Sequence, residues 1–331
     1  TRGLYAGNWQ GAPYYNKVNA HGGLRGGSSN DEVFGCGYKG GDYGITNGAT
    51  WMIKLDSSGA VDWWNYYRRS MISGGTPMST PFMAGGFYLD SSDNVYCNGY
   101  ATDLNSTSQP VYHLKVNSSG TAQYYNEVRL TTGNASLIPY GSAGAIKSDD
   151  SKSIQGFYGR VNSTDTIDSQ IILVRNSSGA VTSAYSIRAT DSGGTVQGQY
   201  LYDVEIVGND IYTLCYLNSD SRAHGCVIKI KDGMDESFTG SGDIDVPDLA
   251  GTGTNTLTFT VAAFTDYAEI SYVTGAPNYY LQEWSSGSGS LSSSTSAQGN
   301  MDQTPGTGNT SAQTLLADND VHDDAGPEGI S

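Results

Sequence analysis

Apolar and polar positions alternate along most of this chain in short runs, and Asp, Asn, Ser or Gly closes each run. A period of two predicts β-strands, and no window repeats its apolar positions at helical spacing. WMIKLDSSG shows the pattern: Met52, Lys54 and Asp56 fall on one face and Ile53 and Leu55 on the other, which predicts one face in a core and one in water. The turn that follows has its own chemistry. Asp or Asn accepts hydrogen bonds from the backbone two residues on, and Gly supplies a positive φ, so D-S-S-G reverses the chain between two strands. Val61, Trp63 and Tyr66 or Tyr67 then offer the next strand.

Two patterns recur. The first is an apolar strand ending in an Asp/Asn turn: WMIKLDSSG, YHLKVNSSG, ILVRNSSG and VIKIKDG. Their turn residues are Asp56, Asn117, Asn176 and Asp232, at successive spacings of 61, 59 and 56. The second is a turn followed by an aromatic-rich strand: SSNDEVFGCGY, SSDNVYCNGY, DDSKSIQGFYG and VGNDIYTLCY. These strands begin at Val33, Val95, Ile154 and Ile211, at spacings of 62, 59 and 57. Two interleaved series marching in step define a repeat of about 60 residues. With a further strand in GGFYLD or YDVEIV, each repeat holds about four strands, the content of one propeller blade.

The cadence VYCNGY, spacer, WMIKLDSSGAVDWW resembles the β-propeller repeats of bacterial surface proteins and of structural proteins of tailed phages that infect aquatic bacteria. The resemblance covers about residues 30 to 240. It implies an all-β, propeller-like array and a virion structural role, while propellers as a class host binding, catalysis and scaffolding alike. Residues 1–32 read as the trailing strands of a preceding repeat, 33–242 as the repeat body, 243–284 as a C-terminal β segment and 285–331 as a low-complexity arm. The ragged ends leave three closures open: a small ring, an open array, or completion by a second chain.

Composition narrows the function. Apolar residues make up 37% of the chain, with 44 Gly and 24 Tyr, which suits half-buried aromatic strands. A formal charge of -16 repels phosphate backbones, so no nucleic-acid partner is expected. No apolar run is long enough for a membrane-spanning helix. The first residue, Thr1, fits a processed terminus or a sequence incomplete upstream. The Ser/Gly/Thr-rich run after Trp284 has too little apolar content to fold alone, so it reads as an assembly arm or a wrap around its own domain.

The candidate chemistry is sparse. LDSSGAVDWW departs from the sialidase Asp-box, since Gly59 falls three residues after Asp56 and Lys54 stands where the box has Ser. Arg68 and Arg69 read as exposed strand or turn residues. Carboxylates crowd at Asp232, Asp235, Glu236, Asp243, Asp245 and Asp248 and again from Asp318 to Asp324. Oxygen-rich loops can hold calcium, but neither run has EF-hand or nonapeptide spacing, and a solvated acidic loop is the competing reading. His21, His113, His224 and His322 are scattered without a zinc motif, so no cofactor is expected apart from that calcium alternative. Cys215 and Cys226 flank a polar turn and form a disulfide candidate, with two buried free thiols as the alternative. Cys36 and Cys97 sit at offsets that differ by one residue, which places them on opposite strand faces and argues against pairing.

Six N-x-S/T sequons occur, at Asn105, Asn117, Asn134, Asn162, Asn176 and Asn309. Turn chemistry explains Asn117 and Asn176; Asn105, Asn134, Asn162 and Asn309 are the glycosylation candidates. Trp63, Trp64, Tyr66 and Tyr67 are candidate stacking platforms for glycans, with blade-core aromatics as the competing reading. The expectation is a non-enzymatic structural protein of a tailed-phage virion, on the tail or capsid surface, that associates with itself or with other virion proteins. A carbohydrate-binding adhesin that recognises host-surface glycans, or an extracellular filament subunit, is the alternative.

Overall fold

The computed structural model of the chain describes residues 9–11, 14–16, 18–28, 32–39, 49–73, 76–79, 82–101, 110–130, 143–160, 167–219, 222–234, 239–247, 254–265, 267–272 and 279–285. Every regular element among them is a β-strand. A short hairpin of β1 (Trp9–Gly11) and β2 (Tyr14–Asn16) comes first. The first unit comprises β3 (Val18–Gly26), β4 (Val33–Lys39), β5 (Ala49–Leu55) and β6 (Val61–Ser73), and β7 (Thr76–Ser79) folds back on the end of β6. The second has β8 (Phe82–Leu89), β9 (Val95–Ala101), β10 (Val111–Val116) and β11 (Ala122–Leu130). The third has β12 (Ala143–Ile146), β13 (Lys152–Gly159), β14 (Ser169–Asn176) and β15 (Val181–Asp191). The fourth has three strands, β16 (Val196–Val207), β17 (Asp210–Ser219) and β18 (Arg222–Ile230).

Within each unit the strands pair antiparallel in chain order, and a two-residue ladder between β15 and β16 joins the third unit to the fourth. The unit that contains Val33 is therefore completed by β3, from inside the stretch 1–32 that was expected to belong to an earlier repeat.

Three of the four repeated turns form as their chemistry predicts; at the fourth, Asp232 itself takes a φ of 52° and its N–H donates to Asp210 Oδ1 at 2.9 Å. Asp56 Oδ1 accepts from Ser58 N and Ala60 N, both at 2.9 Å. Asn117 Oδ1 accepts from Ser119 N at 3.1 Å and Thr121 N at 2.8 Å, and Asn176 Oδ1 from Ser178 N at 3.0 Å and Ala180 N at 3.1 Å. Gly59, Gly120 and Gly179 take φ of 79°, 86° and 83°, the left-handed region that a Cβ penalises. A one-residue slip follows the turn where Leu55 meets Val61, so the next strand leaves with its faces correctly set.

The core lies between the units. One apolar layer joins Phe34, Cys36, Met52, Trp63 and Tyr67 of the first unit to Phe87, Val95, Cys97, Leu114 and Tyr125 of the second. Another joins Val111 and Val128 to Phe157, Ile171 and Leu173. A third joins Ile154, Ile172, Val174 and Ile187 to Leu201, Val204, Ile211, Cys215, Leu217 and Ile228. Each side chain removed from water in these layers contributes about 1.5–3 kcal/mol. The alternation therefore does not mean one wet face: Met52 and Ile53 are both buried, and β14 is buried at every position from Ser169 to Arg175. Odd positions of β14 face the second unit and even positions the fourth.

The inner strands approach closely. A Cβ on Gly86 of β8 would lie 2.7 Å from the Ala143 carbonyl carbon of β12, so only glycine fits there.

After the fourth unit the chain runs back along the array. β19 (Gly240–Pro247) pairs with β20 (Thr254–Ala263), and β20 pairs with β15 of the third unit. Next, β21 (Tyr267–Tyr272) pairs with β11 of the second unit and β22 (Tyr279–Ser285) with β6 of the first. The last strand of each of these units would otherwise expose a row of unpaired N–H and C=O groups. Three successive C-terminal strands cover those edges in reverse order.

Candidate functional site

The chemistry-bearing side chains converge on the junctions between units. Antiparallel order puts the first and third turns of a unit at the same end of its sheet. At the third turn, Trp63 Nε1 donates to Ser118 O at 2.8 Å, and Asn65 Nδ2 and Tyr67 OH donate to Gly120 O at 2.7 and 2.6 Å. Strand β6 of the first unit thus caps the turn of the second. The next junction repeats the arrangement: a Cβ on Gly179 would meet Tyr124 Cε2 at 2.3 Å and Asn126 Nδ2 at 2.9 Å. Glycine in S-S-G answers two demands at once, positive φ and the close approach of the preceding unit.

The first turns are linked in the same direction. Ser28 donates through N and Oγ to the Asp93 carboxylate at 2.7 and 2.6 Å, and Ser91 donates through N and Oγ to Asp150 Oδ2. Asp93 and Asp150 hold φ of 59° and 58°, so aspartate occupies the glycine-like turn position and its side chain reaches the unit before it. These turns line an open concavity of about 330 Å³ that includes Asp90, Asp93, Lys147 and Asp150. Burial alone would raise the Asp90 carboxyl. Hydrogen bonds from Asn94 and Ser92 and the Lys115 ammonium at 3.4 Å outweigh it and hold the group low. Among the described residues, no group of three or more His, Cys, Asp or Glu is placed to hold a metal ion.

A buried polar cluster fills the junction between the second and third units. His113 Nδ1 donates to Asn98 Oδ1, whose amide donates to Ala143 O at 3.2 Å, and Tyr124 OH donates to His113 Nε2 at 2.9 Å. The ring is fully buried near Arg175 and Lys115; burial first, and those charges second, push its pKa well below the usual histidine range. Arg175 is fully buried and donates to Gly179 O at 2.6 Å, Glu269 Oε1 at 2.7 Å and Gln155 Oε1 at 2.9 Å. Glu269 also accepts from Val181 N at 3.0 Å. Because Glu269 lies on β21, a strand laid on the second unit is ion-paired to the third.

Of the proposed glycan platforms, Trp63 and Tyr67 are buried, 8% and 1% exposed, with their polar ends bonded to the second unit. They belong to the junction and offer no ring face to solvent. Trp64 is half-buried, and Tyr66 is paired through its backbone with Trp51 and Trp284. Arg68 and Arg69 are strand residues opposite Gln282 and Leu281. Cys215 lies directly opposite Cys226, and both thiols are buried and free. Cys36 and Cys97 do meet, with Sγ atoms 3.4 Å apart. Opposite faces are what two stacked sheets need, so the parity that argued against their contact produces it.

Asn117 and Asn176 are held in their turns, while Asn105, Asn134, Asn162 and Asn309 lie outside the described residues. Asp235, Glu236, Asp248, the run Asp318–Asp324 and the arm 286–331 also lie outside them. Asp243 accepts from Thr258 Oγ1 at 2.8 Å, and Asp232 N donates to Asp210. Asp93, Asp150, Arg175 and Glu269 are junction residues that the repeat pattern does not single out. A partial signal existed: Arg175 stands where the aligned repeats place Leu55 and Val116.

The chain matches no protein-family model, and no curated protein matches it in sequence. Among the described residues, no helix is long and apolar enough to cross a membrane.

Proposed function

We propose that this chain is a non-enzymatic structural subunit of a virion, with a propeller-like β body that joins a neighbouring subunit through its fourth unit. The observation that carries the reading is a contrast in burial. β14 is covered on both faces, whereas β17 and β18 bury one face and leave Leu214 and Val227 of the other 45% and 61% exposed. These two residues are directly opposite in register, and Tyr202 and Val207 of β16 are exposed as well. Among the described residues, β18 pairs only with β17, so its outer edge is open. An apolar face beside an open edge is the composition of an assembly surface.

The polar groups of the junctions point the same way, since they join one repeat to the next. The virion setting rests on the resemblance of the repeat cadence to that of tailed-phage structural proteins and on the acidic composition, at a formal charge of -16. Light scattering on the full chain tests the assembly surface. The wild-type chain is expected to self-associate, and Leu214→Lys/Val227→Lys to stay monomeric at an unchanged melting temperature. A wild-type chain that remains monomeric at its highest soluble concentration, or a variant that associates equally well, would contradict the reading.

A further inference from the structure

Cys36 on β4 and Cys97 on β9 are the facing residues of the first junction, and both are fully inaccessible to solvent. Their Sγ atoms are 3.4 Å apart, in a layer shared with Phe34, Met52, Phe87 and Leu114. Cys97 Sγ lies 3.8 Å from both Asn98 O and Tyr112 OH, and that hydroxyl is hydrogen-bonded to Thr50 Oγ1 at 2.8 Å. The third repeat carries Gly156 and Phe157 at the corresponding offsets from Ile154, so two thiols meet at the first junction where the repeat does not require them.

We propose that Cys36 and Cys97 close into a disulfide when the chain folds in an oxidising medium, covalently joining the first unit to the second. Bond formation needs the sulfurs to approach from 3.4 Å to about 2.05 Å. With oxidised glutathione as oxidant, one cysteine thiolate attacks the glutathione disulfide and releases one glutathione thiol. The second cysteine displaces the other, so two protein thiols lose two electrons and two protons and one glutathione disulfide becomes two thiols. Burial, followed by the neighbouring Cys97, pushes the Cys36 thiol up, which keeps it protonated in the folded protein. Exchange therefore proceeds while the sheets are still coming together, and the finished bond is shielded from reductant. The inference is independent of the assembly surface on the fourth unit.

The test is refolding of the full chain in a glutathione redox buffer, acid quench, alkylation and peptide mapping without reduction. The expected product is a peptide pair linked through Cys36 and Cys97, with a denaturation midpoint that falls when a strong reductant is present during unfolding. A Cys97→Ser chain should show no such pair and no reductant dependence at this junction. Alkylated Cys36 and Cys97 in the refolded wild-type chain would overturn the proposal. So would a linkage confined to Cys215 and Cys226, or one joining either residue of the first junction to them.

Discussion

Gly179→Ala and Gly194→Ala form a matched pair that separates the cost of a turn from the cost of a junction. Both glycines sit in turns of the same kind, headed by Asn176 and Asp191, and take φ of 83° and 82°. Alanine in that conformation costs about 1–2 kcal/mol at either position. Beyond Gly194 no atom lies within 4 Å of the added methyl, so the cost ends there. At Gly179 the methyl would stand 2.3 and 2.5 Å from Tyr124 Cε2 and Cζ. Overpacking of this kind adds about 1–3 kcal/mol. Moving the ring aside breaks its hydroxyl bond to His113, about 1 kcal/mol more.

Gly179→Ala should therefore lose about 3–6 kcal/mol and Gly194→Ala about 1–2 kcal/mol. Urea unfolding followed by tryptophan fluorescence measures both, with equal m-values as the condition for comparing midpoints. Equal losses would refute the claim that the second unit packs on the turn of the third.

Glu269→Ala leaves the Arg175 guanidinium buried without its counter-charge and should cost about 3 kcal/mol; Arg175→Met/Glu269→Leu should recover most of it in the same titration. Tyr67→Phe removes the bond to Gly120 O and the one accepted from Asn65 Nδ2, and should cost about 1–2 kcal/mol in urea midpoint measurements. Acid should act through His113. Its folded pKa is depressed, so below about pH 6.5 the unfolded chain binds a proton that the folded chain refuses. Stability is full above that value and falls as pH drops, by at most about 1.4 kcal/mol per pH unit, and His113→Gln should flatten this part of the profile. Asp149, held down to about 2 by Ser151, adds a second loss only as pH falls below the ordinary aspartate range.

The strands and turns of this chain were legible because their causes are local. Asp56, Asn117 and Asn176 each carry the acceptor that folds the next few residues, and the period between them located the units. What could not be read was which element covers which. Alternation at Met52 and Ile53 is compatible with one wet face or with a sheet on either side, and only stacking decides. Cys36 and Cys97 show the same gap: strand parity is a property of one sheet, while their contact is a property of two. The strand TLTFTVAAF was visible as a strand, but nothing within it names β15 as its partner. That partner was settled by an open edge some 70 residues upstream.

A density map of the native assembly at side-chain resolution tests the account most directly. It should show β20, β21 and β22 on the outer edges of the third, second and first units in that order, with a neighbouring subunit over Leu214 and Val227. A map in which those strands extend the units in another order, or in which the chain's own first unit closes over Leu214 and Val227, would contradict it.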